Sequence, residues 1–361
     1  MRIIVSAGGT GGHIYPALAI INKIKERHKN CDILYIGTTD RMESTLIPSL
    51  GIKYEGIMMK GLNRKNIFKN FSVIKSFYDG VKKAKKIIED FKPDVVLGIG
   101  GYITAPVIIA AHKLGIKTFI HEQNSIPGLS NKILKKYADV VGVSLKESMK
   151  YFKDRKVIFT GNPRSEEATK AKPVDKEKYG LTESKKLVLF VMGSLGSLTI
   201  TKLMHDIIPE FKSKKYEVLF VTGKNYFNSY SDLLIPNNVK LVPNLGDMLN
   251  VLKKTDLIIT RAGASTIAEI TAIGITAIMI PSPYVTHNHQ EKNAEILKLN
   301  EAAIVIKEKN LTKENLLQSI DSIINSKDKM LKMKKNSKRL GVIDSATKIV
   351  EIIEDMVNGD V

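Results

Sequence analysis

Residues 3–16 read Ile3-Ile4-Val5-Ser6-Ala7-Gly8-Gly9-Thr10-Gly11-Gly12-His13-Ile14-Tyr15-Pro16: an apolar run breaks into a glycine-rich turn and then into a helical pattern. A buried strand running through a tight turn into a helix is the opening of a βα unit. Glycine reaches positive φ and lets the backbone approach a ligand closely. The helix that follows offers unpaired N–H groups and the positive end of its dipole, which suit an anionic group such as a phosphate. Pro16 is expected in the first helical turn, where a missing N–H costs little. Ile14, Ala17, Leu18, Ile21 and Ile24 recur at helical spacing. His13, at the rim of the turn, is a titratable group suited to taking a proton near neutral pH.

Outward from this stretch the pattern repeats. In the first half, strands are predicted at 2–6, 32–37, 53–58, 94–99, 117–120, 140–143 and 157–160, several of them continuous Val/Ile/Leu runs as in strands covered on both faces. Helical patterns between most of them imply a parallel sheet in right-handed βα units. A second glycine turn, Gly98-Ile99-Gly100-Gly101-Tyr102, closes the fourth strand, and His121-Glu122-Gln123-Asn124 closes the fifth. Glycine or polar clusters at several strand ends are what a ligand crevice at the carboxyl edge of an open sheet requires. Gly161-Asn162-Pro163-Arg164 ends this half, and the charged stretch 165–186 reads as a linker region with a boundary near residue 164. Leu187–Val191 then runs into a third glycine turn, Met192-Gly193-Ser194-Leu195-Gly196-Ser197, with further strands expected at 217–221, 240–242, 257–260, 277–280 and 303–306. Two doubly wound α/β domains follow, 1–164 and 165–340, with 341–361 as a C-terminal helix that packs back on the first.

With 361 residues, two domains are the default. Lys and Arg number 56 against 37 Asp and Glu, a formal charge of +19 that favours anionic partners. Nucleic-acid modules are not indicated: there is no RNA-recognition motif, no Cys/His zinc spacing and no aromatic–basic platform. No apolar run is long enough to span a bilayer, and the first strand leaves no room for a secretory signal. The single cysteine, Cys31, fits a reducing compartment.

Six segments in order carry a resemblance: Gly8–His13, Asp94–Tyr102 (DVVLGIGGY), His121–Asn124 (HEQN), Gly161–Pro163, Arg261–Glu269 (RAGASTIAE) and Pro281–Ala294 (PSPYVTHNHQEKNA). Together they resemble the MurG family of peptidoglycan synthesis, two-domain GT-B glycosyltransferases with Rossmann-like domains facing a cleft. The chain departs from that family at the third glycine turn, where the usual Gly-Gly-Ser-Gln-Gly-Ala has Met192 for a Gly and Leu195 for the Gln. Arg164 directly follows Pro163, where the family usually has one residue between.

The resemblance implies an inverting, metal-independent transfer of GlcNAc from UDP-GlcNAc to the C4 hydroxyl of MurNAc in lipid I, giving lipid II, without a cofactor. Inversion needs one displacement with a base on the acceptor hydroxyl; His13 is the candidate, with Glu122 orienting it or substituting for it. The donor set it implies is Thr10, Gly11, Gly12, Asn124, Arg164, Ser194, Leu245, Ala264, Ser265, Thr266, Glu269 and Gln290. Within it Glu269 takes the ribose hydroxyls, Leu245 the uracil through its backbone, and Gln290 the GlcNAc hydroxyls. Gly11, Gly12, Gly100, Gly101 and Tyr102 are the acceptor-diphosphate set. His287 and His289 read as solvated loop residues, a metal pair being the alternative. Implied partners are UDP-GlcNAc, lipid I, an anionic membrane surface and cell-wall or division proteins, at the cytoplasmic face of the membrane. Between Asn63 and Phe91, Ile67, Phe68, Phe71, Ile74, Phe77 and Tyr78 are bordered by lysines, as in interfacial helices. The alternatives are a GT-B transferase with another lipid or soluble acceptor, and a non-catalytic nucleotide-binding protein of the membrane surface.

Overall fold

The computed structural model describes residues 1–59, 71–193, 196–285 and 288–360, without the side chain of Phe71. It divides into two compact units, Met1–Arg164 with Asp344–Val361, and Ser165–Ile343.

The first unit is built on β1 (Arg2–Ala7), β2 (Asp32–Thr38), β3 (Lys53–Ile57), β4 (Val95–Gly100), β5 (Lys117–Glu122), β6 (Val140–Val143) and β7 (Lys156–Phe159). They pair in the order β3-β2-β1-β4-β5-β6-β7, every pairing parallel. The order reverses between β1 and β4, the point at which an open α/β sheet leaves a crevice. There the register slips, Ser6 pairing with Gly98 but Ala7 with Gly100, so the two glycine turns leave the sheet side by side. One face of the sheet is covered by the helix Gly11–Arg27 and by the C-terminal helix Ser345–Asn358, whose Ile349, Val350, Ile352, Ile353 and Met356 enter that core. Arg27 grips the C-terminal helix through both oxygens of Glu354, at 3.0 and 2.7 Å. The helices Phe71–Phe91 and Thr104–Lys113 cover the other face.

The second unit carries β8 (Leu187–Val191), β9 (Glu217–Val221), β10 (Val239–Val242), β11 (Leu257–Thr260), β12 (Thr276–Met279) and β13 (Ala303–Val305), in the order β10-β9-β8-β11-β12-β13 and again all parallel. Its reversal lies between β8 and β11, so both units are wound alike.

Two expectations are corrected. The first helix begins at Gly11, so Pro16 lies in its second turn rather than its first; Gly11 and Gly12 are themselves helical. Residues 165–186 are not a free linker: a helix at Arg164–Lys170 and a 3-10 turn at Lys176–Tyr179 pack on the second unit. The charges misled because Glu166 and Lys176 are buried, Glu166 pairing with Lys170 at 3.1 Å and Lys176 donating to the Lys185 carbonyl. Met192, the residue that replaces a family glycine, is 5% exposed and packs into the core with Ile200 and Met204.

Candidate functional site

At the carboxyl edge of the first sheet, the turns after β1 and β4 lock together. Gly8 N–H donates to the Gly100 carbonyl at 3.1 Å. Gly101 (φ +92°) lies so close that an added Cβ would strike the Gly8 carbonyl. Gly100 (φ +119°) faces the His13 ring, and a Cβ there would stand 2.5 Å from its Cδ2. The half-buried His13 places Nδ1 3.1 Å from the Gly8 carbonyl. A carbonyl only accepts, so in the neutral ring Nδ1 carries the hydrogen and Nε2 is the nitrogen that takes a proton. Thr10 is the N-cap without a side-chain cap bond, so the amides of Gly11 and Gly12 head the helix before its first internal hydrogen bonds.

Beside this pair, the end of β5 is held by its own side chains. Glu122 is 2% exposed; Oε1 accepts from Asn124 N–H at 2.9 Å, and Oε2 from Gly128 N–H at 3.1 Å and Asn131 Nδ2 at 2.9 Å. Its carboxylate thus organises the loop 122–131. Gln123, for which the sequence suggested no role, donates from Nε2 to the Ile99 carbonyl at 2.6 Å and ties β5 to the glycine turn of β4. Arg164 lies over the Tyr15 ring at 5.5 Å.

His121, fully buried, has its pKa lowered to about 4, because burial disfavours the imidazolium; the hydrogen bond to Gly161 opposes the shift. Nε2–H donates to the Gly161 carbonyl at 3.0 Å and Nδ1 accepts from Gln123 at 3.2 Å. Unfolded, histidine ionises near 6.5, so below that pH the unfolded chain binds a proton that the folded chain refuses. Stability is therefore full above about pH 6.5 and falls as the pH drops toward 4, by up to about 3 kcal/mol. Denaturant midpoints at neutral and acid pH are expected to differ less in His121→Gln than in the native chain; equal differences would discount this histidine.

In the second unit, Ala264, Ser265 and Thr266 form the first turn of the helix Ala264–Ile273, behind the extended Gly263. The Ser265 hydroxyl is buried and has no partner among the described residues. Glu269, 8% exposed, stands one turn further along the same face. Gln290 accepts from Ser282 N–H at 2.9 Å through Oε1, which turns its amide nitrogen away from that bond. Leu245 is half buried against the core in the loop after β10. Arg261, to which the sequence gave no role, donates to the Ile280 carbonyl at 3.0 Å and to Ser197 Oγ at 2.8 Å, and pairs with Glu308 at 2.5 Å. It joins the ends of β11 and β12 to the helix behind the third glycine turn. Ser194, Leu195 and His287 lie outside the described residues; His289 begins the helix His289–Leu299. Among the described residues no three His, Cys, Asp or Glu side chains are grouped as a metal ion requires.

Each unit thus offers a helix N-terminus at a sheet edge, one beside a histidine and the other beside a buried carboxylate. Residues 3–143 match the glycosyltransferase family 28 N-terminal domain and residues 187–350 the family's C-terminal domain. A Bacillus cytotoxicus protein named UDP-N-acetylglucosamine–N-acetylmuramyl-(pentapeptide) pyrophosphoryl-undecaprenol N-acetylglucosamine transferase is 44% identical over 362 residues, covering 99% of this chain and all of its own. The Bacillus subtilis protein of the same name is 43% identical, covering 99% of each chain. Among solved structures, MurG of Acinetobacter baumannii superposes with a TM-score of 0.78 over 98% of this chain and 99% of its own, at 24% identity.

Proposed function

The chain belongs to glycosyltransferase family 28, and from that premise we propose how its two units divide one reaction. The chain is a UDP-GlcNAc-dependent glycosyltransferase that moves GlcNAc onto the C4 hydroxyl of MurNAc in lipid I, giving lipid II for peptidoglycan. The observation that carries this is the end-to-end similarity to relatives named for that transfer, at 43 and 44% identity. The test is sugar transfer by the purified chain from UDP-GlcNAc to a lipid I analogue. Transfer only to a diacylglycerol or a soluble sugar would replace the acceptor, and nucleotide binding without transfer would replace the enzyme.

In this reading His13 Nε2 takes the proton of the acceptor hydroxyl while Nδ1–H, held on the Gly8 carbonyl, fixes the tautomer. Gly11, Gly12, Gly100, Gly101 and Tyr102 receive the acceptor's diphosphate. Glu122, already committed to Asn124, Gly128 and Asn131, shapes the loop and leaves the base role to His13. Thr10, Asn124 and Arg164 complete the first unit's part of the site. In the second unit the amides of Ala264, Ser265 and Thr266 and the Ser265 hydroxyl stabilise the charge developing on UDP. Leu245 holds the uracil, Gln290 the sugar hydroxyls and Glu269 the ribose. This reading assigns no metal or other cofactor to the reaction. Glu269→Ala is expected to weaken UDP binding by about 1.5–3 kcal/mol for each charge-assisted bond lost. Unchanged affinity in calorimetry would remove Glu269 from the ribose.

No helix among the described residues is long and apolar enough to cross a membrane. We read the chain as peripheral, held at the cytoplasmic face near its lipid substrate. Of the predicted docking segment, residues 63–70 and the side chain of Phe71 lie outside the described residues, and Phe77 packs against the core. On the helix Phe71–Phe91, Ile74 and Tyr78 are 54% and 69% exposed, on the face that also carries the exposed Lys75, Lys82 and Lys85. Apolar groups ringed by lysines suit an anionic lipid surface, each lysine contributing about 1 kcal/mol. Ile74→Ser with Tyr78→Ser is expected to reduce sedimentation with anionic vesicles and to spare activity on a water-soluble acceptor. Unchanged sedimentation would exclude this face.

A further inference from the structure

We propose that the Asp40–Glu43 turn after β2 is a third arm of the acceptor-diphosphate site, in which Glu43 fixes the first glycine turn and Arg41 supplies the cation that meets the diphosphate. The inference rests on the acceptor reading of the first unit.

Topology brings the turn into place. β2 lies next to β1, so the segments after β2, β1 and β4 leave the same edge of the sheet side by side. Glu43 opens the helix Met42–Ser49 and has no exposed surface. A carboxylate so buried has to be satisfied by hydrogen bonds. Oε1 accepts from Thr38 N–H at 3.2 Å and Thr38 Oγ1 at 2.8 Å, and Oε2 from Gly9 N–H at 3.2 Å. The surroundings leave room for nothing else. A Cβ at Gly8 would strike the Glu43 carboxylate, and one at Gly37 would stand 2.7 Å from Glu43 Cγ. Two glycines thus make way for one carboxylate.

This latch sorts the amides of the first glycine turn. Gly8 N–H is engaged by the Gly100 carbonyl and Gly9 N–H by Glu43, so neither points toward a ligand. The amides left to head the helix are those of Gly11 and Gly12. Their dipole amounts to about half a positive charge, too little for a diphosphate with a buried carboxyl group behind the turn. Arg41 is the N-cap of the helix Met42–Ser49, and the next residue, Met42, brings its Cε to 3.9 Å from where a Cβ on Gly11 would stand, so Arg41 leaves the chain at the rim of the first glycine turn. Its side chain is 53% exposed, and its ion pair with Asp40, at 3.9 Å between two exposed groups, is too loose to hold it away from an anion. A guanidinium offers paired donors matched to phosphate oxygens. Arg164, over the Tyr15 ring, is the competing cation of this unit.

The test is steady-state transfer by the full chain between UDP-GlcNAc and a short-chain lipid I analogue, with geranyl diphosphate as competitor. Arg41→Ala is expected to raise the acceptor KM about tenfold, the loss of one charge-assisted hydrogen bond, with the UDP-GlcNAc KM unchanged. Geranyl diphosphate should compete correspondingly less well, and Arg41→Lys should recover part of both effects. Glu43→Gln keeps an oxygen toward Thr38 but sets an NH2 against Gly9 N–H. It should raise the acceptor KM without changing the UDP-GlcNAc KM, a split that a general loss of folding would not give. An unchanged acceptor KM in Arg41→Ala, or a rise only in Arg164→Ala, overturns the inference and leaves the acceptor reading standing. No transfer by the native chain overturns both.

Discussion

His13→Ala is expected to lower kcat by about 10²- to 10⁴-fold, the usual contribution of a positioned general base. The KM for UDP-GlcNAc should hardly move, because the groups assigned to uracil, ribose and sugar belong to the second unit. The orientation of the ring carries the expectation: Nδ1 is anchored on the Gly8 carbonyl at 3.1 Å, which directs proton uptake to Nε2. Alanine also removes that anchor, so a second variant separates the two roles. His13→Asn can still donate to Gly8 from its amide but cannot take a proton. It is expected to lose nearly as much kcat as the alanine variant. Steady-state rates with saturating acceptor decide the matter. Full kcat in the alanine variant would remove His13 from the mechanism and return Glu122 to candidacy.

Gly100→Ala is expected to be nearly as damaging, although residue 100 donates no side chain to the reaction. Two costs combine. The backbone stands at φ +119°, a conformation that costs a residue with a Cβ about 1–3 kcal/mol. The new methyl group would also stand 2.5 Å from His13 Cδ2, so the ring must turn and break its bond to Gly8. Displacement of a catalytic group by about an ångström is enough to cost on the order of 10² in rate. Loss of kcat with a lowered unfolding midpoint is the expected pair of results. A drop in stability at native kcat would mean that the ring position does not govern the rate.

These two residues also show where sequence legibility stops. The glycine turn and its histidine stand out in the chain because a strand, positive-φ residues and a helix start are local patterns. Partnership between Gly100 and His13 does not, since residues so far apart meet only through the pairing of β1 with β4. Glu43 is less visible still. In the sequence it looks like a solvated charge in the first turn of a short helix, yet it is fully buried and holds Gly9 from 34 residues away. Charge density misled in the same way at 165–186, where Glu166 and Lys176 are buried.

The sequence by itself determined the alternation of strands and helices, the parallel winding of two sheets and the sites of the glycine turns. Each of these follows from short-range causes: apolar runs that need cover on both faces, helical periodicity, and backbone conformations open only to glycine. Only the tertiary structure decided which amides of the first turn face outward, that Met192 fills a core, and that Arg261 ties Ser197 to Ile280 and Glu308. It also decided which side chains fasten the last helix, Arg27 holding Glu354 from 327 residues away. The physical reason is the same in each case. These contacts join segments remote in the chain, and which buried polar group meets which partner depends on strand order and register rather than on any pattern within a few turns of sequence.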